Sequence, residues 1–205
     1  MLYSSGNIDL WKLGKEGQVK SYSVNRGEFQ ELIFTPDSKR LIFLSRVGTI
    51  QIWNTGTGEL EGDITSYWTS FAISPSSKIL AIGLENGSIQ LWNLNTRSAL
   101  LTTEKHDVSF NVLAFSPDEK VLISGNMAYG AMLSNVGDVL YWNTEDGALI
   151  TKIISVTNSP ITSISVSPNG SLLKVGEHDY TTGTNITVIV PELVKDGRAH
   201  RIDGG

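Results

Sequence analysis

Apolar and polar residues alternate along this chain in short runs, and the runs return at a period of roughly forty residues. Four of them end in tryptophan: NIDLW at Trp11, TIQIW at Trp53, SIQLW at Trp92 and DVLYW at Trp142, separated by 42, 39 and 50 residues. A second landmark keeps the same spacing. It reads FTPD at Pro36, ISPS at Pro75, FSPD at Pro117 and VSPN at Pro168, with the prolines 39, 42 and 51 residues apart. Two landmarks at one period mark an internal repeat.

Aligned on those prolines, the segments agree position by position. Two residues before the proline stand Phe34, Ile73, Phe115 and Val166. Four before it stand Leu32, Phe71, Leu113 and Ile164, and seven before it Phe29, Trp68, Phe110 and Ile161. The first two sets share one face of a strand, as a period of two requires, and the third set opens that strand. Proline ends the pairing because it has no N–H to donate to a ladder. A second strand follows in RLIFLS (40–45), KILAIG (78–83), KVLISG (120–125) and SLLKVG (171–176). The tryptophan strand comes third, and a short run such as ALITKII (148–154) comes fourth. Each unit is predicted to be a four-stranded antiparallel meander. One such sheet cannot cover both of its faces, so the units must stack, and radial stacking of these sheets makes a propeller. The predicted fold class is all-β, a β-propeller of four-stranded antiparallel blades.

These residues resemble the WD-repeat family, whose pattern puts apolar residues before a Ser-Pro-Asp-Gly turn and ends the third strand in Trp-Asp. FSPDEK (115–120) and GSIQLWN (87–93) are close matches, and the resemblance covers nearly the whole chain. The departures are regular. Tryptophan is followed by Lys12, Asn54, Asn93 or Asn143, never by Asp. Ile189 stands where the last unit should carry tryptophan, and the family's Gly-His pair survives only as Lys105-His106. The family's hydrogen-bond network of Trp, Ser, His and Asp is therefore expected to be incomplete in every unit. The blade units run about 1–25 (partial), 26–66, 67–106, 107–156 and 157–205, in all about four and three-quarter blades. The first is expected to open inside its second strand at MLYSSG (1–6), and the last to close near AHRIDG (199–204). The resemblance thus implies an incomplete ring or part of a larger propeller, with further blades from the same or another chain.

Composition narrows the partners. The chain has 205 residues, 18% of them charged, and 20 glycines, which suits short strands and tight turns. A net charge of −5 without a basic stripe argues against a nucleic-acid partner. With no cysteine, disulfides and thiolate zinc sites are excluded. No apolar run approaches membrane-spanning length, and the residues after Met1 do not form a signal segment. No membrane partner is expected, and the expected location is the cytoplasm.

Candidate chemistry is sparse. The three histidines, His106, His178 and His200, fall in no metal-binding spacing. His106 is read as a structural blade residue, and His178-Asp179 as part of a loop with no nucleophile to complete a triad. The sequence holds no phosphate-binding or calcium-binding loop. Position −3 from each proline, read as facing the central channel, holds Ile33, Ala72, Ala114 and Ser165, none suited to acid–base work. No catalytic residue, metal or cofactor is assigned. Trp68 is expected in the core despite its neighbour Tyr67, and Trp53, Trp92 and Trp142 between blades.

The informative asymmetry lies between the second and third strands. One unit uses a tight Glu85-Asn86-Gly87 turn there. The next inserts NMAYGAMLSNV (126–136), and the last inserts EHDYTTGTN (177–185). Both loops are expected on one rim, which also carries the start of each first strand. Met127, Tyr129, Met132 and Leu133, with His178 and Tyr180, are candidate partner contacts, since exposed apolar and aromatic residues mark binding surfaces. The bland alternative is an insert folded over its own blade or a lengthened hairpin. In the WD-repeat family the residue just inside each first strand often contacts partners. Here that position, −6, holds Gln30, Thr69, Asn111 and Thr162. The expected function is a non-enzymatic scaffold binding a protein or peptide on a propeller rim. The alternatives are an enzymatic propeller of hydrolase or lactonase type, or a structural segment of a larger multidomain protein.

Overall fold

A computed structural model of the chain describes residues 6–11, 18–24, 29–45, 48–105, 110–126, 138–153, 161–178 and 185–191. Every element among them is a β-strand. The chain divides into two compact units, Met1–Tyr67 and Trp68–Gly205. In the first unit β1 (Gly6–Trp11) pairs with β2 (Gln18–Val24) as one sheet. The second sheet is β3 (Phe29–Phe34), β4 (Arg40–Ser45), β5 (Thr49–Asn54) and β6 (Leu60–Thr65). In the second unit the third sheet is β7 (Trp68–Ile73), β8 (Ile79–Leu84), β9 (Ile89–Asn93) and β10 (Ser98–Thr102). The fourth is β11 (Phe110–Phe115), β12 (Val121–Asn126), β13 (Val139–Asn143) and β14 (Leu149–Ile153). The fifth is β15 (Ile161–Val166), β16 (Leu172–His178) and β17 (Asn185–Pro191). Strands pair antiparallel in chain order, so each complete sheet is the expected meander.

The turn after each first strand closes on itself through short side chains. Thr35 Oγ1 donates to Asp37 Oδ1 (2.6 Å), which also accepts from Lys39 N (3.0 Å), while Arg40 N donates back to Thr35 Oγ1 (3.0 Å). Ser116, Asp118, Lys120 and Val121 repeat this in the fourth sheet. Ser167, Asn169, Ser171 and Leu172 repeat it in the fifth. The position two after the proline is left-handed each time: Ser38 (φ 59°), Ser77 (63°), Glu119 (63°) and Gly170 (72°). Between third and fourth strands, the asparagine that follows tryptophan caps the turn. Asn54 Oδ1 accepts from Gly56 N and Thr57 N, both at 2.9 Å, and Asn93 Oδ1 from Asn95 N (2.8 Å) and Thr96 N (3.0 Å). An amide oxygen serves here because only an acceptor is needed.

In the second unit the sheets stack face to face. Leu113, Phe115, Leu122, Leu140 and Trp142 of the fourth sheet meet Ala81, Ile89 and Leu91 of the third. On the opposite face Ile123, Val139 and Tyr141 meet Ile161, Leu173 and Val175 of the fifth. Alternation therefore gives the fourth sheet two apolar faces, each covered by a neighbour, and the first strands β7, β11 and β15 lie side by side. This is the packing of propeller blades. It corrects one expectation. Ala72, at position −3, packs into the layer between third and fourth sheets rather than facing a channel. Its Cβ points to the face opposite that of Phe71 and Ile73, and the fourth sheet covers it.

Candidate functional site

Each first strand breaks register at the same place. Pairing passes from Phe29–Ser45 to Glu31–Leu44 and from Trp68–Leu84 to Ser70–Gly83. It passes likewise from Phe110–Asn126 to Val112–Gly125 and from Ile161–Glu177 to Ser163–Gly176. The skipped residues are Gln30, Thr69, Asn111 and Thr162, the set found at position −6. A bulge leaves one residue out of the ladder and re-aims its side chain. Glycine opposite three of the bulges permits the close approach. A Cβ on Gly125 would lie 2.7 Å from Ile161 Cγ2 and 2.9 Å from Val112 Cγ1.

Each bulge sits beside the hairpin joining second and third strands, so both features share one end of their sheet. Gln30 and Thr162 are exposed and Thr69 is half-buried. Thr162 Oγ1 donates to Gly176 O at 3.2 Å, and Thr69 Oγ1 is buried without a hydrogen-bond partner. Asn111 lies in β11, with its side chain outside the described residues.

The hairpins differ in length but not in stem. In the third sheet Leu84 N donates to Ser88 O (2.9 Å), and Asn86 Oδ1 accepts from Ser88 N (2.9 Å) and Ser88 Oγ (2.7 Å). In the fourth, Asn126 N donates to Asp138 O (3.2 Å) and Asp138 N to Asn126 Oδ1 (2.9 Å). The carboxylate of Asp138 is fully buried, and Lys152 Nζ reaches its Oδ2 at 2.7 Å. Met127, Tyr129, Met132 and Leu133, on the insert above this stem, lie outside the described residues, as does Tyr180. Of the two expectations for the segment 177–185, a binding loop or a lengthened hairpin, its described residues show the hairpin. Glu177 pairs with Ile186 and His178 with Asn185, so His178 ends a strand. The β-branched Ile186 and Thr187 opposite favour continuing the ladder.

One exposed aromatic lies outside the candidate contacts. Tyr67 is 73% exposed. The residue before it is braced: Ser66 N donates to Gly48 O at 2.8 Å, and Gly48 is left-handed (φ 81°) with no room for a Cβ, which would lie 2.9 Å from Ser66 O. Its neighbour Trp68 is half-buried and meets Phe71 edge to face, with ring centroids 6.0 Å apart. Loop position was the available signal, since Tyr67 precedes the first residue of β7.

Among the described residues, no group of three or more His, Asp or Glu side chains is placed to hold a metal ion. Among them, too, no helix is long and apolar enough to cross a membrane. Residues 56–93 match the family model described as WD domain, G-beta repeat. The matched stretch covers one repeat, from the turn after β5 to the tryptophan strand β9. No curated protein matches the chain.

Proposed function

We propose that this WD-repeat chain is a non-enzymatic scaffold that binds a protein or peptide on the rim formed by its bulged strand ends. WD repeats serve generally as protein-interaction modules. The observation that carries the finer reading is the repeated bulge, which releases Thr69, Asn111 and Thr162 from three stacked ladders. The ends of those sheets align, because Ile161 at the start of β15 packs over Gly125 at the end of β12's ladder. Uncharged polar residues there suit contact with a partner's backbone more than proton transfer. The insert carrying Met127, Tyr129, Met132 and Leu133 springs from the same end on a regular stem, which supports a role outside the blade.

The proposal includes a further blade, from the same chain or another. Leu32 and Phe34 on β3 are 43% and 46% exposed, whereas their counterparts Leu113 and Phe115 are 6% and 8% exposed beneath the third sheet. An apolar pair of that size fits a blade face.

The test is partner capture by crosslinking with the intact protein, repeated with Tyr129→Ser, Met132→Ala and Tyr180→Ser combined and with Thr162→Ala. Loss of the same crosslinked partner, with an unchanged circular dichroism spectrum, is expected. Full recovery by both variants would sink the reading.

A further inference from the structure

Glu119 occupies a left-handed turn position that glycine fills at the next repeat. A left-handed backbone is costly for a residue with a Cβ, and it persists where the surroundings hold it. Its carboxylate leaves its own sheet. Ser76 N donates to Glu119 Oε1, and Ser76 Oγ donates to Oε2 at 2.7 Å. Ser76 directly follows Pro75, in the equivalent turn of the third sheet. The next junction repeats the placement without the carboxylate: a Cβ on Gly170 would lie 3.5 Å from Pro117 Cδ. At these two junctions the position two after the proline is where a sheet meets the turn of the sheet before it.

We infer that Glu119 is a clasp that locks the third and fourth sheets together at the rim opposite Thr69 and Asn111. Its left-handed backbone is common to this turn position, as at Ser38, Ser77 and Gly170, and at Glu119 both carboxylate oxygens take both donors of Ser76. The apolar layer of Leu113, Phe115 and Trp142 against Ala81 and Leu91 holds the sheets face to face, but such contact is non-directional. The clasp adds direction. It fixes one point on each sheet and so limits sliding of one over the other.

The test compares Glu119→Gly, Glu119→Gln, Ser76→Ala and the double variant Glu119→Gly with Ser76→Ala, using Ser38→Gly as reference for relief of the same backbone strain. Amide exchange at Val112 and Ala114, whose N–H groups face β12, is read against exchange at Leu173 and Val175. Glu119→Gly is expected to speed exchange at the first pair about threefold, since both bonds are open to solvent, and to leave the second pair unchanged. Glu119→Gln keeps one acceptor oxygen and shows a smaller effect. The double variant is little worse than Glu119→Gly, because the Ser76 hydroxyl then keeps only its long 3.4 Å contact with Ser74 Oγ. If Glu119→Gly slows exchange and raises stability as Ser38→Gly does, or if the two single effects add, the clasp is overturned.

Discussion

The indole Nε1 of Trp142 donates to Ser124 Oγ at 2.9 Å, with Trp142 1% exposed and Ser124 fully buried. The bond joins adjacent strands and satisfies the one polar group of the largest buried side chain. Trp92 holds the same place in the third sheet, but Ile82 stands where Ser124 would be, and Trp92 Nε1 is buried without a hydrogen-bond partner. Ser124→Ala is expected to cost about 1–3 kcal/mol, measured by urea unfolding, because it orphans a buried donor. Trp142→Phe is expected to cost more than Trp92→Phe, since the second removes a donor that was already unmet. Equal losses for the two would contradict this.

Asp138 and Lys152 make a second test at the base of the insert. Lys152→Met is expected to lower stability by up to about 3 kcal/mol, since it strips the cation from a buried carboxylate. The loss falls at the low end of that range because the Lys152 side chain is 28% exposed and water can partly replace it. Asp138→Asn with Lys152→Met removes both charges and should recover part of the loss. No recovery in thermal unfolding would argue against charge as the cause.

Left-handed residues offer stabilising substitutions. Ser38 (φ 59°) and Arg97 (φ 58°) occupy positions held by Gly170 in one turn and by Gly58 and Gly147 in the other. Ser38→Gly and Arg97→Gly are each expected to raise stability by about 0.5–1 kcal/mol, the left-handed penalty less the added chain entropy of glycine. A fall in the urea midpoint for both would refute the strain argument.

Acid sensitivity should arise in the turns. The Thr35 hydroxyl and the Lys39 N–H hold the Asp37 carboxyl below its ordinary 3.8, and the Ser116 hydroxyl does the same for Asp118 against an opposing effect of burial. The unfolded chain takes up these protons at higher pH than the folded one. The stabilisation is therefore present above about pH 4 and is lost as pH falls through the lowered folded values. Asp118→Asn should flatten that acid slope and keep the turn, because Asn169 makes the same bonds with Ser167 and Ser171. Tyr141 is pushed up to about 12 by burial, so its contribution is lost as pH rises above the unfolded value near 10.

The insert can be removed without its blade. Replacing residues 127–137 with Glu-Asn-Gly, the turn that spans Leu84 and Ser88, should leave unfolding nearly unchanged, because Asn126 and Asp138 close an equivalent stem. Partner crosslinking should be lost. A large drop in melting temperature would instead show the insert packing on the sheet.

Legibility in the sequence followed locality. Position −7 opens β3, β7, β11 and β15, as the alternation at Phe29, Trp68, Phe110 and Ile161 predicted. Position −6 was singled out from the family pattern, but the reason for it, a bulge opposite Gly83, Gly125 and Gly176, needed the pairing register. His178 reads as a loop residue because EHDYTTGTN is longer than the tight Glu85-Asn86-Gly87 turn at the same place. The ladder that claims it is formed with Asn185, across the hairpin.

By itself the sequence determined the repeat, the strand order in each sheet and the side-chain chemistry of the turns, because these depend on residues within a few places of one another. Tertiary structure decided which face of a first strand meets which neighbour, which residue slips out of each ladder, and that Glu119 reaches Ser76. The slipped residue depends on register between strands of one sheet, and the other two outcomes on stacking between segments some forty residues apart. Side chains at such separations meet only after the sheets have paired and docked.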